Sequence, residues 1–267
     1  MIRTFEDQAL HFGDFLWDWQ TVAPHSVDLV ILDPPYGVLQ DAQSWDIPPD
    51  FHVVAWELSN LLKPLGQVVT FANFKTAVAI DRAFEPYLGF RFDLTWKKPS
   101  APPKNHNGPA MDTELILVYK LVGAKNRDLT YNHDALRTPG EPYKRKAGRS
   151  QNQNPILKQG GNMPATFENP DGLRYPRTVL EFPNKSCMIK SERTAHPTQK
   201  PLGLVEYLLT GLSNPGDLVL DPFVGSGTTL LASHRLGRRG IGFERDAVFF
   251  EMAANRLEAE IGLELAL

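Results

Sequence analysis

Two short stretches of this sequence carry residue types that do chemistry, and they lie far apart in the chain. The first is Asp33-Pro34-Pro35-Tyr36, which follows the β-branched run Val27-Asp28-Leu29-Val30-Ile31-Leu32. That run reads as a strand. A strand ending in Asp-Pro-Pro-Tyr presents a carboxylate, a fixed backbone and an aromatic ring together. The prolines lock φ and carry no N–H, so the carbonyls there are free to accept from a ligand. Tyr36 offers a flat face on which a base can stack. The set suits a planar substrate carrying an amino group. Read alone, it is equally a strand that ends in a Pro-Pro turn.

The second stretch is Asp221-Pro222-Phe223-Val224-Gly225-Ser226-Gly227-Thr228-Thr229, which follows the strand-like Leu218-Val219-Leu220. A helix to about Leu236 and a further strand, Gly240 to Phe243, come next, and Glu244 ends that strand. Strand, Gly-x-Gly turn, helix and acid-tipped strand make a nucleoside-binding arrangement, in which Glu244 can accept from ribose hydroxyls. A nucleoside-triphosphate loop needs Lys after the second glycine, and Thr228 stands there. A dinucleotide fingerprint needs a third glycine, and that position is Leu230. Adenosine without a pyrophosphate fits better and points to S-adenosylmethionine, with a purely structural turn as the competing reading.

The elements that must hold these stretches follow a wound α/β pattern. A short strand at Ala9 to Phe12 leads to Gly13-Asp14, where Asp14 is a helix cap or, past a strand end, a residue facing a ligand crevice. Helical spacing covers Phe51 to Leu62 (Val54, Leu58, Leu61, Leu62) and stops at Lys63-Pro64-Leu65-Gly66. Gln67 to Phe71 reads as a buried strand, Lys75 to Tyr87 as a helix, and Phe90 to Trp96 and Asp112 to Tyr119 as strands. Strand and helix alternate as in a wound sheet, and the last pair, with no clear helix between, predicts an antiparallel edge. After His196-Pro197-Thr198-Gln199-Lys200-Pro201 come a helix at about Leu202 to Leu212 and, beyond the second glycine-rich stretch, a last helix from Phe249.

The chain has 267 residues, 42% of them hydrophobic and 22% charged, enough for a core and ordinary for a soluble protein. No apolar run approaches the roughly 18 residues of a membrane span. No signal-peptide pattern opens the sequence, one cysteine (Cys187) allows no internal disulfide, and seven histidines show no zinc spacing. These features predict a reduced, cytoplasmic protein without a metal centre. The net charge of −3 conceals an asymmetry: Lys97 to Lys200 holds 18 Lys plus Arg against 9 Asp plus Glu. A basic middle in an acidic frame is the pattern of a polyanion-binding segment or of a solvated insertion. From Leu121 to Arg193 periodicity weakens, turn residues crowd in, and Lys144, Arg145, Lys146 and Arg149 cluster among tyrosines. Those four are candidate contacts to nucleic-acid phosphates.

Asp33-Pro34-Pro35-Tyr36, then His196-Pro197-Thr198-Gln199-Lys200-Pro201, then Asp221 to Thr229 together resemble the amino-type (N6-adenine or N4-cytosine) DNA methyltransferases. The catalytic motif precedes the cofactor motif, as in that family's β class. The resemblance implies an α/β, Rossmann-like, S-adenosylmethionine-dependent methyltransferase sheet, circularly permuted, with an inserted irregular target-recognition region. The implied boundaries are a catalytic part at 1–121, an insertion at 122–193 and a cofactor-binding part at 194–267. Asp33, Pro34, Pro35 and Tyr36 would form the catalytic turn. Asp33 and the Pro34 carbonyl would accept from the target amino group, and Tyr36 would stack on the extruded base. Asp14 would contact the cofactor adenine, Glu244 its ribose, and Phe223, Gly225, Gly227, Thr228 and Thr229 its methionine and ribose parts. Asp221, Pro222 and Ser226 belong to the same turn, Asp33 borders it, and His196, Thr198, Gln199, Lys200 and Pro201 would line the pocket. Double-stranded DNA is the implied partner, so the protein would join the nucleoid when bound. Dimers occur in the resembling class, and a cognate restriction endonuclease would leave no mark on these motifs.

The chemistry agrees with the residue types. A base in a duplex must be flipped out to meet a buried sulfonium. An exocyclic amine is a weak nucleophile, and two fixed acceptors favour a tetrahedral nitrogen aimed at the methyl group, so positioning supplies most of the acceleration. Carbon-5 cytosine methylation needs a cysteine after a proline, whereas Cys187 follows Ser186. In the resembling class, N4-cytosine enzymes usually carry Ser where this chain has Asp33, which favours adenine. RNA and protein amide methyltransferases usually place Asn-Pro-Pro-Tyr after the cofactor motif. A non-catalytic DNA-binding descendant would show damage at Asp33, Tyr36 or the glycines, and a nicotinamide oxidoreductase is disfavoured by Leu230.

Overall fold

The structure is a computed structural model that describes residues 1–37, 46–100, 108–146 and 166–264. In chain order the strands are β1 (Ile2–Phe5), β2 (Gln8–Phe12), β3 (Val27–Leu32), β4 (Leu62–Ala72), β5 (Leu88–Lys97) and β6 (Thr113–Leu121). They continue as β7 (Tyr143–Lys146), β8 (Thr166–Asn169), β9 (Val179–Glu181), β10 (Leu218–Asp221) and β11 (Arg239–Glu244). The α-helices are α1 (Phe15–Asp18), α2 (Phe51–Leu61), α3 (Phe74–Phe84), α4 (Leu202–Leu212), α5 (Thr228–Arg235) and α6 (Ala247–Glu264). Two compact units result, Met1–Asn132 with Thr178–Leu267, and His133–Arg177.

The larger unit is built on a nine-stranded sheet in the order β1-β2-β11-β10-β3-β4-β6-β5-β9. From β2 to β4 the neighbours are parallel, so the carboxyl ends of β2, β11, β10 and β3 lie side by side. Period-2 alternation on β3 sends Leu29 and Ile31 into one core with Val69, Phe71 and helices α4 to α6. Val30 and Leu32 enter a second core with Val54, Leu58, Ile80 and Phe84 of α2 and α3. Helices on both faces bury every residue of β3 except Asp28, which is why Leu29 to Leu32 reads as an apolar run. Truncating one of these leucines to alanine costs about 2–5 kcal/mol.

Helix starts follow local chemistry. Asp50 accepts from His52 N to cap α2, and Asn73 accepts from Thr76 N to cap α3. The helix stops before Lys63 to Gly66 as expected, with α2 ending at Leu61, and those residues form the first part of β4, whose pairing with β3 starts at Leu62. The register slips between Val27↔Leu62 and Leu29↔Gln67, so Pro64 and Gly66 sit in a bulge where a missing donor is tolerated. β6 is antiparallel to both β4 and β5, as the absence of a connecting helix predicts. The pair is not the sheet edge: β9, from the stretch read as irregular, adds to β5 in parallel. A β1–β2 hairpin turning at Glu6 (φ 48°) was also not legible in the sequence.

The smaller unit centres on an antiparallel β7–β8 ribbon, with a bridge between Thr138 and Arg174. Arg137 stacks on Tyr175 at 4.4 Å and Arg174 on Tyr143 at 4.8 Å. Among the described residues no helix is long and apolar enough to cross a membrane, and no cluster of His, Cys, Asp and Glu is arranged to hold a metal ion.

Candidate active site

The adjacent carboxyl ends of β2, β11, β10 and β3 open onto one cavity of about 1060 Å³, measured to include its mouth. This is the crevice at which α/β sheets bind ligands. Asp33 enters it directly after the last residue of β3. The turn behind Asp33 is pinned by Asp46, whose Oδ1 accepts from the backbone N–H of Tyr36 (3.1 Å) and of Gly37 (3.0 Å).

Asp33 stands in a buried charge network. Lys200 Nζ lies 2.6 Å from each Asp33 carboxylate oxygen and 3.4 Å from Glu114 Oε1. The single Tyr36 hydroxyl proton is shared between Glu114 Oε1 (2.9 Å) and Asp33 Oδ1 (3.1 Å), and Lys98 Nζ reaches Glu114 Oε2 at 2.7 Å. Two carboxylates thus face two ammonium groups. Burial pushes the Asp33 carboxyl up while Lys200 opposes it. Glu114 is also penalised by burial, but Lys200 and Lys98 outweigh that and hold it low. Lys200 remains charged because both carboxylates more than offset its desolvation. Burial and the two acids drive the Tyr36 phenol far above its ordinary range, so it stays a donor.

The β10 end is built from backbone. Gly225 (φ +54°) and Gly227 (φ +78°) adopt the left-handed conformation, and Gly227 caps α5. A Cβ on Gly225 would sit 2.9 Å from His196 Nε2, so only glycine fits between the turn and that ring. Glu244 accepts from Gly225 N (2.9 Å) and from Asp246 N (2.8 Å), which ties the acid tip of β11 to the turn. Asp221 accepts from Phe223 N at 2.9 Å and from Thr229, and burial lifts its carboxyl to about 7. The His196 ring packs against Phe249 with centroids 4.3 Å apart, and burial, with Lys200 and Lys185 adding, drives it down to about 4. Gln199 shapes the preceding loop by accepting from Thr194 N and donating to Glu192 O, both at 2.8 Å.

The sequence model of N6_N4_Mtase, a family described as DNA methylase, matches residues 27–255. The chain belongs to this DNA methylase family. It is 31% identical over 263 residues to the type II methyltransferase M.HpaI of Haemophilus parainfluenzae, covering 95% of this chain and 75% of that protein. It is 29% identical over 263 residues to the DNA adenine methyltransferase YhdJ of Escherichia coli (strain K12), covering 95% and 83%. Among solved structures, the M1.HpyAVI–SAM complex matches at 28% identity with a TM-score of 0.60, covering 92% of this chain and 98% of that one. The cytosine-N4-specific PvuII DNA methyltransferase shares the fold at 18% identity and a TM-score of 0.65, covering 97% and 93%. The fold is thus that of the S-adenosylmethionine-dependent DNA methyltransferases, and the family's cofactor is S-adenosylmethionine.

The residues of this methylase fit that cofactor. Asp14, Asp33, Asp221 and Glu244 surround the cavity with carboxylates, complementary to a sulfonium and to ribose and amine donors, and Phe223 and Phe249 supply apolar walls. Glycine at 225 keeps the turn's backbone against the His196 ring at the cavity, where a side chain would clash with that ring. Of the residues singled out in the sequence, Asp14, Asp33 to Tyr36, His196, Thr198, Gln199, Lys200, Asp221 to Phe223, Gly225, Ser226, Thr228, Thr229 and Glu244 line the cavity. Pro201 and Gly227 do not line it; they stand at the starts of α4 and α5. Asp14 combines both of its readings: Oδ1 caps α1 through Leu16 N, while Oδ2 lies 3.3 Å from Arg245 Nη1 at the cavity. Lys144, Arg145 and Lys146 fall on β7 in the smaller unit, where Lys144 pairs with Glu168; Arg149 lies outside the described residues. Sequence reasoning missed Asp46, Phe71, Arg245 and above all Glu114. Glu114 reaches Asp33 only through the antiparallel β4–β6 register, in which Leu115 faces Ala72.

Proposed function

We propose that the protein is a site-specific DNA adenine methyltransferase that methylates N6 of an adenine flipped from double-stranded DNA. The observation that carries this reading is the Asp33-Pro34-Pro35-Tyr36 turn, standing at the cofactor cavity with its aspartate flanked by a cation. When bound, S-adenosylmethionine supplies an electrophilic methyl group on a sulfonium. The chain's own residues then have separate tasks. The Asp33 carboxylate and the Pro34 carbonyl accept from the target amino group and hold its nitrogen toward tetrahedral geometry. Tyr36 stacks on the base. Glu244 and the turn from Asp221 to Thr229 hold the nucleoside and methionine portions, with Asp14 toward the adenine. Positioning does most of the work, and no covalent enzyme intermediate is required. Aspartate rather than serine at position 33 favours adenine over cytosine. The basic strand β7 and the segment around it are assigned to the duplex, its cations neutralising phosphates without regard to sequence.

The test is to incubate the protein with methyl-labelled S-adenosylmethionine and unmethylated genomic DNA, digest to nucleosides and identify the labelled one by mass. Label in N6-methyl-2′-deoxyadenosine supports the reading. Label in N4-methyl-2′-deoxycytidine would keep the scaffold and reverse the base.

A further inference from the structure

The acceptor capacity of Asp33 is nearly exhausted by the protein itself. A carboxylate offers about four lone-pair positions, two on each oxygen. Lys200 Nζ engages both oxygens at 2.6 Å, and the Tyr36 hydroxyl, whose one proton is shared with Glu114 Oε1 at 2.9 Å, occupies the space at a second position on Oδ1 at 3.1 Å. What remains for a ligand is one position, on Oδ2. Lys200 is itself held from several sides. Glu114 Oε1 lies 3.4 Å from its Nζ, and the rings of Phe71 and Tyr36 lie beneath it at 4.9 and 5.9 Å. Glu114 is in turn anchored by Lys98 at 2.7 Å.

We propose that Lys200 and Glu114 are positioning residues of the methyl transfer: Lys200, seated on both Asp33 oxygens, opposes protonation of that carboxylate and leaves Oδ2 to present a lone pair to the target amino group, while Glu114 and Lys98 keep Lys200 there. The inference rests on the reading of Asp33 as the acceptor of the target amine. It gives Lys200 a task different from the cofactor contact that the family resemblance implies. The physical need is plain. A carboxylate at the end of a buried strand, stripped of its cation, takes up a proton. A protonated carboxyl presents a donor on one oxygen, and an N–H arriving at it meets the wrong partner. The groups facing Asp33 are Tyr36 from its own turn, Lys200 from the loop before α4, Glu114 from β6 and Asp221 from β10, with Lys98 acting through Glu114. Lys200 is the cation in direct contact with both Asp33 oxygens.

The experiment compares the wild type with Lys200→Met, Lys200→Arg, Glu114→Gln and the double variant Asp33→Asn/Lys200→Met. Two readouts are taken: kcat and cofactor Kd across about pH 6–9, and the Asp33 carboxyl ¹³C resonance, assigned by its loss in Asp33→Asn. In Lys200→Met the Asp33 carboxyl should titrate about one to three pH units higher than in the wild type. Its kcat should fall at least about tenfold near pH 7 and recover as pH rises, with cofactor Kd changed less than about threefold. Lys200→Arg should restore ionisation at pH 7 and part of kcat, and Glu114→Gln should give an intermediate loss. An unchanged Asp33 titration in Lys200→Met would overturn the proposal. So would a rise in cofactor Kd that accounts for the whole loss, which would return Lys200 to the cofactor site. Should Lys200→Met fail to fold, the Arg and Gln variants carry the same comparison, and the double variant tests whether removing both charges restores folding. A wild type that methylates no DNA base would refute the proposed function instead, and the carboxyl titration would still decide the coupling of Lys200 to Asp33.

Discussion

Strands β3 and β10 are neighbours, both end in Asp-Pro at the same cavity, and the two aspartates live in opposite electrostatic surroundings. Asp33 is gripped by an ammonium group at 2.6 Å and by a phenol. Asp221 has a backbone N–H, a threonine hydroxyl and two like charges nearby, and burial lifts it to about 7. Identical dipeptides on adjacent strands therefore acquire different duties. Burial raises both carboxyls, but Asp33 has a cation against its oxygens that pulls against the rise and keeps it oriented as an acceptor. Asp221, without one, spends part of its time protonated and shapes the turn through Phe223 N. Environment, more than residue type, assigns the role.

The contrast is broken most severely at β3. Asp33→Ala should lower kcat by about a hundredfold or more, the scale for losing one preorganised hydrogen-bonding group, while the cofactor still binds by calorimetry. Next in size is Gly225→Ala. Its left-handed φ of +54° and the 2.9 Å approach to His196 should raise cofactor Kd about tenfold, with a smaller effect on the Asp33 titration. At β10 the expectation concerns pH. The Asp221 carboxyl is raised from 3.8 to about 7 on folding, so its contribution to stability is full below about pH 4 and is lost as pH climbs to 7. Asp221→Asn should flatten the fall in melting temperature across that window.

Glu57 extends the comparison to a buried acid with no cation paired to it among the described residues. It is 2% exposed, its Oε2 has no hydrogen-bond partner among the described residues, and burial with nearby Asp14 lifts it to about 8. Its contribution is likewise lost as pH rises from its ordinary value to 8. Glu57→Gln should raise the melting temperature at about pH 8 by about 2–4 °C per kcal/mol recovered, and by nothing near pH 4. The smallest expected effect on turnover belongs to the basic strand. Neutralising Lys144, Arg145, Lys146 and Arg149 should weaken binding to all DNA sequences alike and shallow the salt dependence, leaving kcat at saturating DNA within a few-fold. Unchanged affinity and slope would put the phosphate contacts elsewhere.

The two halves of the site were legible to different degrees, for a physical reason. Each strand end with its turn is contiguous in sequence, so Asp33 to Tyr36 and Asp221 to Thr229 could be read from strand propensity, proline and glycine. The Lys200–Asp33 pair spans 167 residues and depends on how β10 inserts beside β3, which no spacing reveals. Glu114 reads as an ordinary polar residue near a strand start until the β4–β6 register brings it beneath Tyr36. β9 has three residues and β1 four, too short for periodicity to register. Pro64 marks the helix stop correctly, since α2 ends at Leu61, but gives no sign that the strand absorbs it in a bulge.

The central claim is that the Asp33 turn directs methyl transfer to adenine N6. The most direct test labels unmethylated genomic DNA with methyl-labelled S-adenosylmethionine, using wild-type protein beside Asp33→Ala, and identifies the labelled nucleoside by mass. The account predicts N6-methyl-2′-deoxyadenosine from the wild type and none from the variant, with both proteins binding the cofactor. Full transfer by Asp33→Ala, or label in another nucleoside from the wild type, would contradict it.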